Sequence, residues 1–295
     1  MRSTAAVAGD AGGIAESSLP PASPADPDDT PGALLGWLLD APVTPDAGLA
    51  GGEAQALAAL DALLHRHSAA ELLPRAPAVV PQLLSMLRHD DRSLAALSQR
   101  VAADVMLSAE VIRQAHSAAH AHRHAPQGQA IDLPQALALL GVDGLKAVIA
   151  RVVLRPLFDG QAGRLSALAS ARMWRHAERE AQHGATLAAG CGLDPFDGYL
   201  GGLVHGTGFT VALRALDRQP APLALPVGEA FARRLAPLAD ALFGKVVADW
   251  QLTPALTALC REAQRGKPLG GLPLGAVLWQ AQQAAVRELV ERRSR

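Results

Sequence analysis

Asp132-Leu133-Pro134-Gln135-Ala136-Leu137-Ala138-Leu139-Leu140-Gly141 carries a helix start and a helix stop within one short run. The Asp132 carboxylate can accept from the free N–H groups of a first turn, Pro134 sits early where no N–H is needed, and Gly141 suits a helix end. Beyond that glycine, Leu145, Val148, Ile149, Val152 and Val153 recur at helical intervals and mark one buried face. Leu94, Leu97 and Val101 repeat the pattern upstream. Downstream, Gly190 is expected to close a long helix holding Trp174 and His176, and Asp194-Pro195 to open the next.

Composition points the same way. Of 295 residues, 49% are hydrophobic but only 3% aromatic, and alanine and leucine dominate, which favours helices over sheets. The expected fold is all-α, a single multi-helix domain, with no internal repeat of solenoid length. The chain splits electrostatically. Residues 1–60 hold one basic residue, Arg2, against eight acidic ones, a local charge of −7 on a chain whose net charge is −1. Residues 1–55 are rich in Pro, Ala, Gly and Asp and are expected to form a flexible, disordered arm, because they bury too little to offset the entropy of ordering. Residues 56–290 form the expected helical domain. Inside the arm, Leu34-Leu35-Gly36-Trp37-Leu38-Leu39 is an apolar island between Pro31-Gly32 and Pro42. It can dock on the body or on a partner, or act only as a short tether.

Cys191 and Cys260 lack CxxC spacing and suit a reducing compartment as ordinary buried thiols. The N-terminus meets Asp10 and Glu16 before any continuous apolar run, unlike a secretory signal. The span Pro268 to Val286, free of Asp, Glu, Lys and Arg, contains too much Pro, Gly and Gln for a membrane helix. A cytoplasmic protein without a membrane partner is expected. Nucleic acid is not an expected partner either: the basic end, Arg287 to Arg295, is interleaved with Glu288 and Glu291 at helix-pair spacing, and few aromatics are available for base stacking.

Several enzyme signatures are missing. No GxSxG elbow occurs, Gly244-Lys245 and Gly266-Lys267 lack the rest of a P-loop, and the glycines at 201, 202, 206 and 208 do not match GxGxxG. Those glycines suit close helix packing. The densest chemical feature is His116-Ser117-Ala118-Ala119-His120-Ala121-His122-Arg123-His124. If the helix continues, His116, His120 and His124 share a face and offer imidazoles to Zn²⁺ or Ni²⁺. No carboxylate or Cys lies in the run, and Pro126-Gln127-Gly128 ends it, so a solvated, pH-sensitive patch is the alternative.

A family resemblance spans about residues 65 to 265 in one collinear order. Leu83-Leu84-Ser85-Met86-Leu87, Leu94-Ala95-Ala96-Leu97 and Ala103-Asp104-Val105-Met106-Leu107 resemble the opening of an HDOD module, the HD-related output domain of bacterial signalling proteins. His116-Ser117 stands where that family has Asn-Ser, and Ile131 to Gly141 is similar to its Ile, Ala and closing Leu-Gly. Trp174-Arg175-His176 resembles its Trp-x-His, and Gly202-Leu203-Val204-His205-Gly206-Thr207-Gly208 its Gly-Leu-Leu-His-Asp-Ile-Gly. Gly244 and Trp250-Gln251-Leu252-Thr253-Pro254 resemble its Gly and Trp-x-Leu-Pro, with one residue inserted before the proline.

The departures bear on chemistry. In catalytic HD phosphohydrolases, histidines and a His-Asp pair hold the divalent metal that activates water. His176 and His205 match two of the histidine positions, but Gly206 replaces the aspartate and offers no oxygen. The later histidine positions fall near Ala241 and Ala263, again without donor atoms. The resemblance therefore implies a non-catalytic regulatory module with no cofactor. Its partner would be a signalling protein or a small regulatory ligand, and His176 and His205 would mark a residual pocket. The competing expectation is a metal-dependent nucleotide phosphohydrolase or phosphodiesterase. For the residues themselves, a plain reading makes His205 a hydrogen-bonded core histidine at a helix end and His176 a partly exposed helix residue.

Overall fold

The computed structural model describes residues 30–45, 48–66, 71, 73, 76–87, 94–121, 131–159 and 163–293. The elements are α1 (Thr30–Leu39), α2 (Gly51–Arg66), α3 (Ala76–Leu87), α4 (Leu94–Ala102), α5 (Val105–Ala121), α6 (Leu133–Leu154), α7 (Arg164–Gly190), α8 (Pro195–His205), α9 (Thr207–Asp217), α10 (Glu229–Val247), α11 (Pro254–Gln264) and α12 (Pro273–Arg293). Among the described residues the fold is all-α, with a lone bridge between Thr44 and Gly228 in place of any sheet. None of these helices is long and apolar enough to cross a membrane.

Local chemistry sets the helix ends as expected. Asp132 and Gln135 form a reciprocal capping box, with the Gln135 N–H donating to Asp132 Oδ1 at 2.9 Å and the Asp132 N–H to Gln135 Oε1 at 3.3 Å. Gly141 breaks the run at φ 62°, ψ −168°, where a side chain would be strained, and helix resumes at once to give the bent α6. Asp194 caps α8 by accepting from the Phe196 N–H at 2.8 Å, with Pro195 in the first turn. Leu97 and Val101 of α4, and Leu145, Val148, Ile149 and Val153 of α6, are buried as the periodicity predicts, whereas Leu94 and Val152 of the same stripes are only half-buried.

The long α7 is the axis of the body. It packs on α8, α9, α12 and α1, while α10 joins α9, α11 and α2 on the other side. Its N-terminus is capped from a distance: Asp217, at the end of α9, accepts from the Leu165 N–H at 2.8 Å and from the Ser166 N–H at 2.8 Å and hydroxyl at 2.6 Å. Gly202 and Gly208 let α8 and α9 approach α7 and α10. A Cβ on Gly202 would meet the Ala181 backbone, and one on Gly208 the Ala239 carbonyl.

The apolar island of the expected arm is part of this core. Leu34, Leu35, Trp37, Leu38 and Leu39 of α1 are buried, and the helix packs on α7, α10 and α12. The chain past α1 remains tied down. The Thr44 N–H donates to the Val227 carbonyl at 2.9 Å, and Glu53 accepts from the Gly228 N–H at 2.6 Å. The flexible-arm expectation for residues 1–55 therefore fails for the described residues from Thr30 onward, because five large side chains are removed from water there; residues 1–29 and 46–47 lie outside the described residues.

Candidate functional site

Glu180 is the hub of a polar cluster built where α7, α8 and α10 meet. His176 and Glu180 lie one turn apart on α7, His205 is the last residue of α8, and Asp240 projects from α10. His176, Glu180 and His205 are 1%, 0% and 3% exposed. His205 Nδ1 is 2.6 Å from Glu180 Oε1, and its Nε2 is 3.0 Å from Asp240 Oδ1. Carboxylate oxygens accept, so both ring nitrogens donate and His205 is an imidazolium. Burial works against that charge, but the charges and hydrogen bonds of Glu180 and Asp240 outweigh it and push the pKa up to about 10. The Phe243 ring packs edge-on to His205 with centroids 5.2 Å apart.

His176 behaves oppositely. Its Nδ1 is 3.6 Å from Glu180 Oε2, beyond hydrogen-bond reach, and both its nitrogens lack a hydrogen-bond partner among the described residues. Burial lowers its pKa, with the neighbouring His205 charge adding to that and Glu180 opposing, so the ring is neutral. The expectation of a partly exposed His176 is overturned. Helix α7 lies under α8, α9, α12 and α1, so it has neighbours on more sides than one stripe of hydrophobic residues signals. The expectation for His205, a hydrogen-bonded histidine at a helix end, holds.

Gly206 stands where a metal-binding carboxylate would be needed. A Cβ there would sit 3.2 Å from Met173 Sδ and 3.2 Å from Phe158 Cε1, so this position faces an apolar wall. Ala241 and Ala263 are buried and bring no donor. What is left for a metal is the neutral His176 and Glu180 Oε2, fewer ligands than the three protein groups of a hydrolytic centre. No cluster of three or more His, Cys, Asp or Glu suited to an ion occurs among the described residues. The residues present do not fit the metal that catalytic HD sites hold.

Asp240 joins the cluster to the surface. It lines a cleft of about 680 Å³ between α1, α10 and the α11–α12 connection, whose wall also carries Arg233, Lys267, Phe209 and the partly exposed Trp279. His205 lies directly behind that carboxylate. The other candidate residues stay apart. His116 is half-buried on α5, while the side chain of His120 and all of His124 lie outside the described residues, so the imidazole run is not brought together here. Glu180 and Asp240 were not found by reading the sequence. For Glu180 the spacing to His176 was an available signal; Asp240 is the neighbour of a position searched for histidine, and nothing local distinguishes it.

An all-helical body whose central histidine is closed off by two carboxylates, beside a glycine in place of the paired aspartate, is an HD-type domain without the HD metal pair. The chain belongs to the HDOD family: the model of the HDOD domain matches residues 73–265. No curated protein matches the sequence. Among solved structures it is similar to a protein of Shewanella amazonensis named, provisionally, as a metal-dependent phosphohydrolase, at 17% identity, TM-score 0.53, covering 80% of this chain and 100% of that one. That likeness concerns the fold.

Proposed function

We propose that this chain is a non-catalytic regulatory module of a bacterial-type signalling system, which recognises a protein partner or a small regulatory ligand. One observation carries the reading. Both nitrogens of His205 are committed to carboxylates, so the residue that would anchor a catalytic metal is a buried cation instead. Gly206 removes the second ligand, and Met173 and Phe158 occupy the space beside it.

The same geometry supports a regulatory role. Asp240 bonds to His205 on one side and lines the 680 Å³ cleft on the other. A ligand or partner group that engages Asp240 would loosen the buried pair. Binding one of two arrangements better than the other is what shifts a conformational equilibrium.

The test uses the full chain, loaded separately with Mn²⁺, Fe²⁺ and Zn²⁺, desalted, and subjected to elemental analysis and a phosphodiester hydrolysis assay. The expected result is substoichiometric metal and no turnover with any of the three ions. Stoichiometric metal that is lost in His176→Ala, together with hydrolysis, would overturn the proposal and favour the phosphohydrolase reading.

A further inference from the structure

Beside the face that carries His176 and Glu180, α7 carries Arg172, Arg175 and Arg179 at spacings of three and four, one stripe of the helix. Arg113 of α5, Arg151 of α6 and Arg292 of α12 converge on that stripe, and the six guanidinium groups line one concave cleft of about 620 Å³. The volume lies within the range of small-molecule sites. Trp37 and Leu289 reach its wall but are buried, at 6% and 5% exposed.

The carboxylates facing these arginines are Glu178, Glu110, Glu288 and Asp40. Glu110 is shared, at 2.9 Å from Arg151 Nη1 and 2.8 Å from Arg113 Nε. Glu288 is shared too, at 2.8 Å from Arg292 and 3.6 Å from Arg179. Arg151 also binds Glu178, and Arg172 pairs with Asp40 at 2.9 Å. Six cations against four anions leave two positive charges in this one cleft, on a chain whose net charge is −1. Arg175 is exposed and has no carboxylate partner among the described residues.

A solvated helix face does not require this arrangement. Here Glu110 pairs with both Arg113 and Arg151, and Glu288 pairs with Arg292 while lying 3.6 Å from Arg179 and 3.2 Å from His183 Nε2. The paired guanidinium groups are held in advance, which suits bidentate binding of phosphate oxygens because part of the ordering cost of long side chains is already met, while the unpaired Arg175 is left to close on the ligand.

We propose that this arginine cleft is a binding site for a small phosphate-bearing ligand of nucleotide size, with the phosphates on the arginines. The site is separate from the His205 cluster, and the proposal stands whether or not that cluster is catalytic.

The test is calorimetric titration of the full chain with ADP, inorganic pyrophosphate and adenosine at about 50 mM salt, where surface charge is weakly screened. ADP and pyrophosphate are expected to bind and adenosine not to. Arg175→Ala should weaken ADP by about tenfold, and Arg234→Ala, an exposed arginine outside the cleft, should leave it unchanged. Arg175 is exposed and has no carboxylate partner among the described residues, so this variant should fold; Arg292→Ala, also exposed, is the second variant and should weaken ADP in the same direction. Failure of both ADP and pyrophosphate to bind would overturn the proposal. So would adenosine binding as tightly as ADP, or ADP affinity that neither Arg175→Ala nor Arg292→Ala changes.

Discussion

Gly206→Asp restores, on paper, the histidine–aspartate pair of a catalytic HD site, and the structure predicts that it restores no function. The glycine backbone is helical at φ −60°, ψ −10°, so substitution brings no backbone strain. The side chain is the difficulty. With Met173 Sδ and Phe158 Cε1 each 3.2 Å from the new Cβ, both neighbours must retreat by a few tenths of an ångström. That alone, isolated by Gly206→Ala, should cost about 1 kcal/mol, at the low end of overpacking because the Met side chain can adjust. The carboxylate adds more, since it enters a wall of thioether and ring rather than of donors. An unpaired buried charge costs roughly 3–5 kcal/mol, or a raised pKa and a neutral acid. In a domain of this size that lowers Tm by about 10 °C relative to Gly206→Ala. Differential scanning calorimetry of wild type, Gly206→Ala and Gly206→Asp at neutral pH, with and without Mn²⁺, measures it. If Gly206→Asp melts with Gly206→Ala, or is rescued by stoichiometric Mn²⁺, residue 206 faces the polar cluster and the reasoning from Met173 and Phe158 is wrong.

The His205 imidazolium should appear in the pH dependence of stability. Its pKa in the fold, about 10, lies above the unfolded value near 6.5, so the stabilisation is complete below about pH 6.5 and is lost as pH rises toward 10, by at most roughly 5 kcal/mol. Urea midpoints across that range should fall for wild type and flatten in His205→Gln; parallel curves would refute the assignment. His176 has the opposite sign: its lowered pKa makes stability fall as pH drops below about 6.5, and His176→Leu should reduce that acid sensitivity in the same urea series. Leu38→Ala, at a fully buried position of α1, should cost about 2–5 kcal/mol, and a loss under about 1 kcal/mol would mean that α1 is not part of the core. Native alkylation at mildly alkaline pH should label Cys191 and spare Cys260, whose thiol is pushed up by burial; mass spectrometry finding both labelled would contradict the packing of α11.

Helix ends and buried stripes were legible in the chain because they depend on neighbours within a turn. Asp132 with Gln135, Gly141, and Asp194 with Pro195 each act on backbone groups two or three residues away, so their effect hardly depends on the rest of the fold. The absence of an oxygen at Gly206 was equally plain, since no packing can supply a missing side chain. Charge and polarity gave no such local signal. Nothing near His205 announces that Glu180, 25 residues earlier, and Asp240, 35 residues later, will close on its two nitrogens. Nothing near Leu165 announces Asp217 as its cap. The arginines at 113, 151 and 292 look like solvated helix residues until α5, α6 and α12 bring them beside α7. The apolar island at 34–39 is compatible with a tether, a partner contact or a core helix, and the grooves of α7, α10 and α12 select the last. A residue type and its spacing decide what it can do with its own turn of backbone. Whether a polar side chain ends up charged, neutral, paired or buried depends on which distant helix crosses it, through the dielectric and the partners that crossing provides.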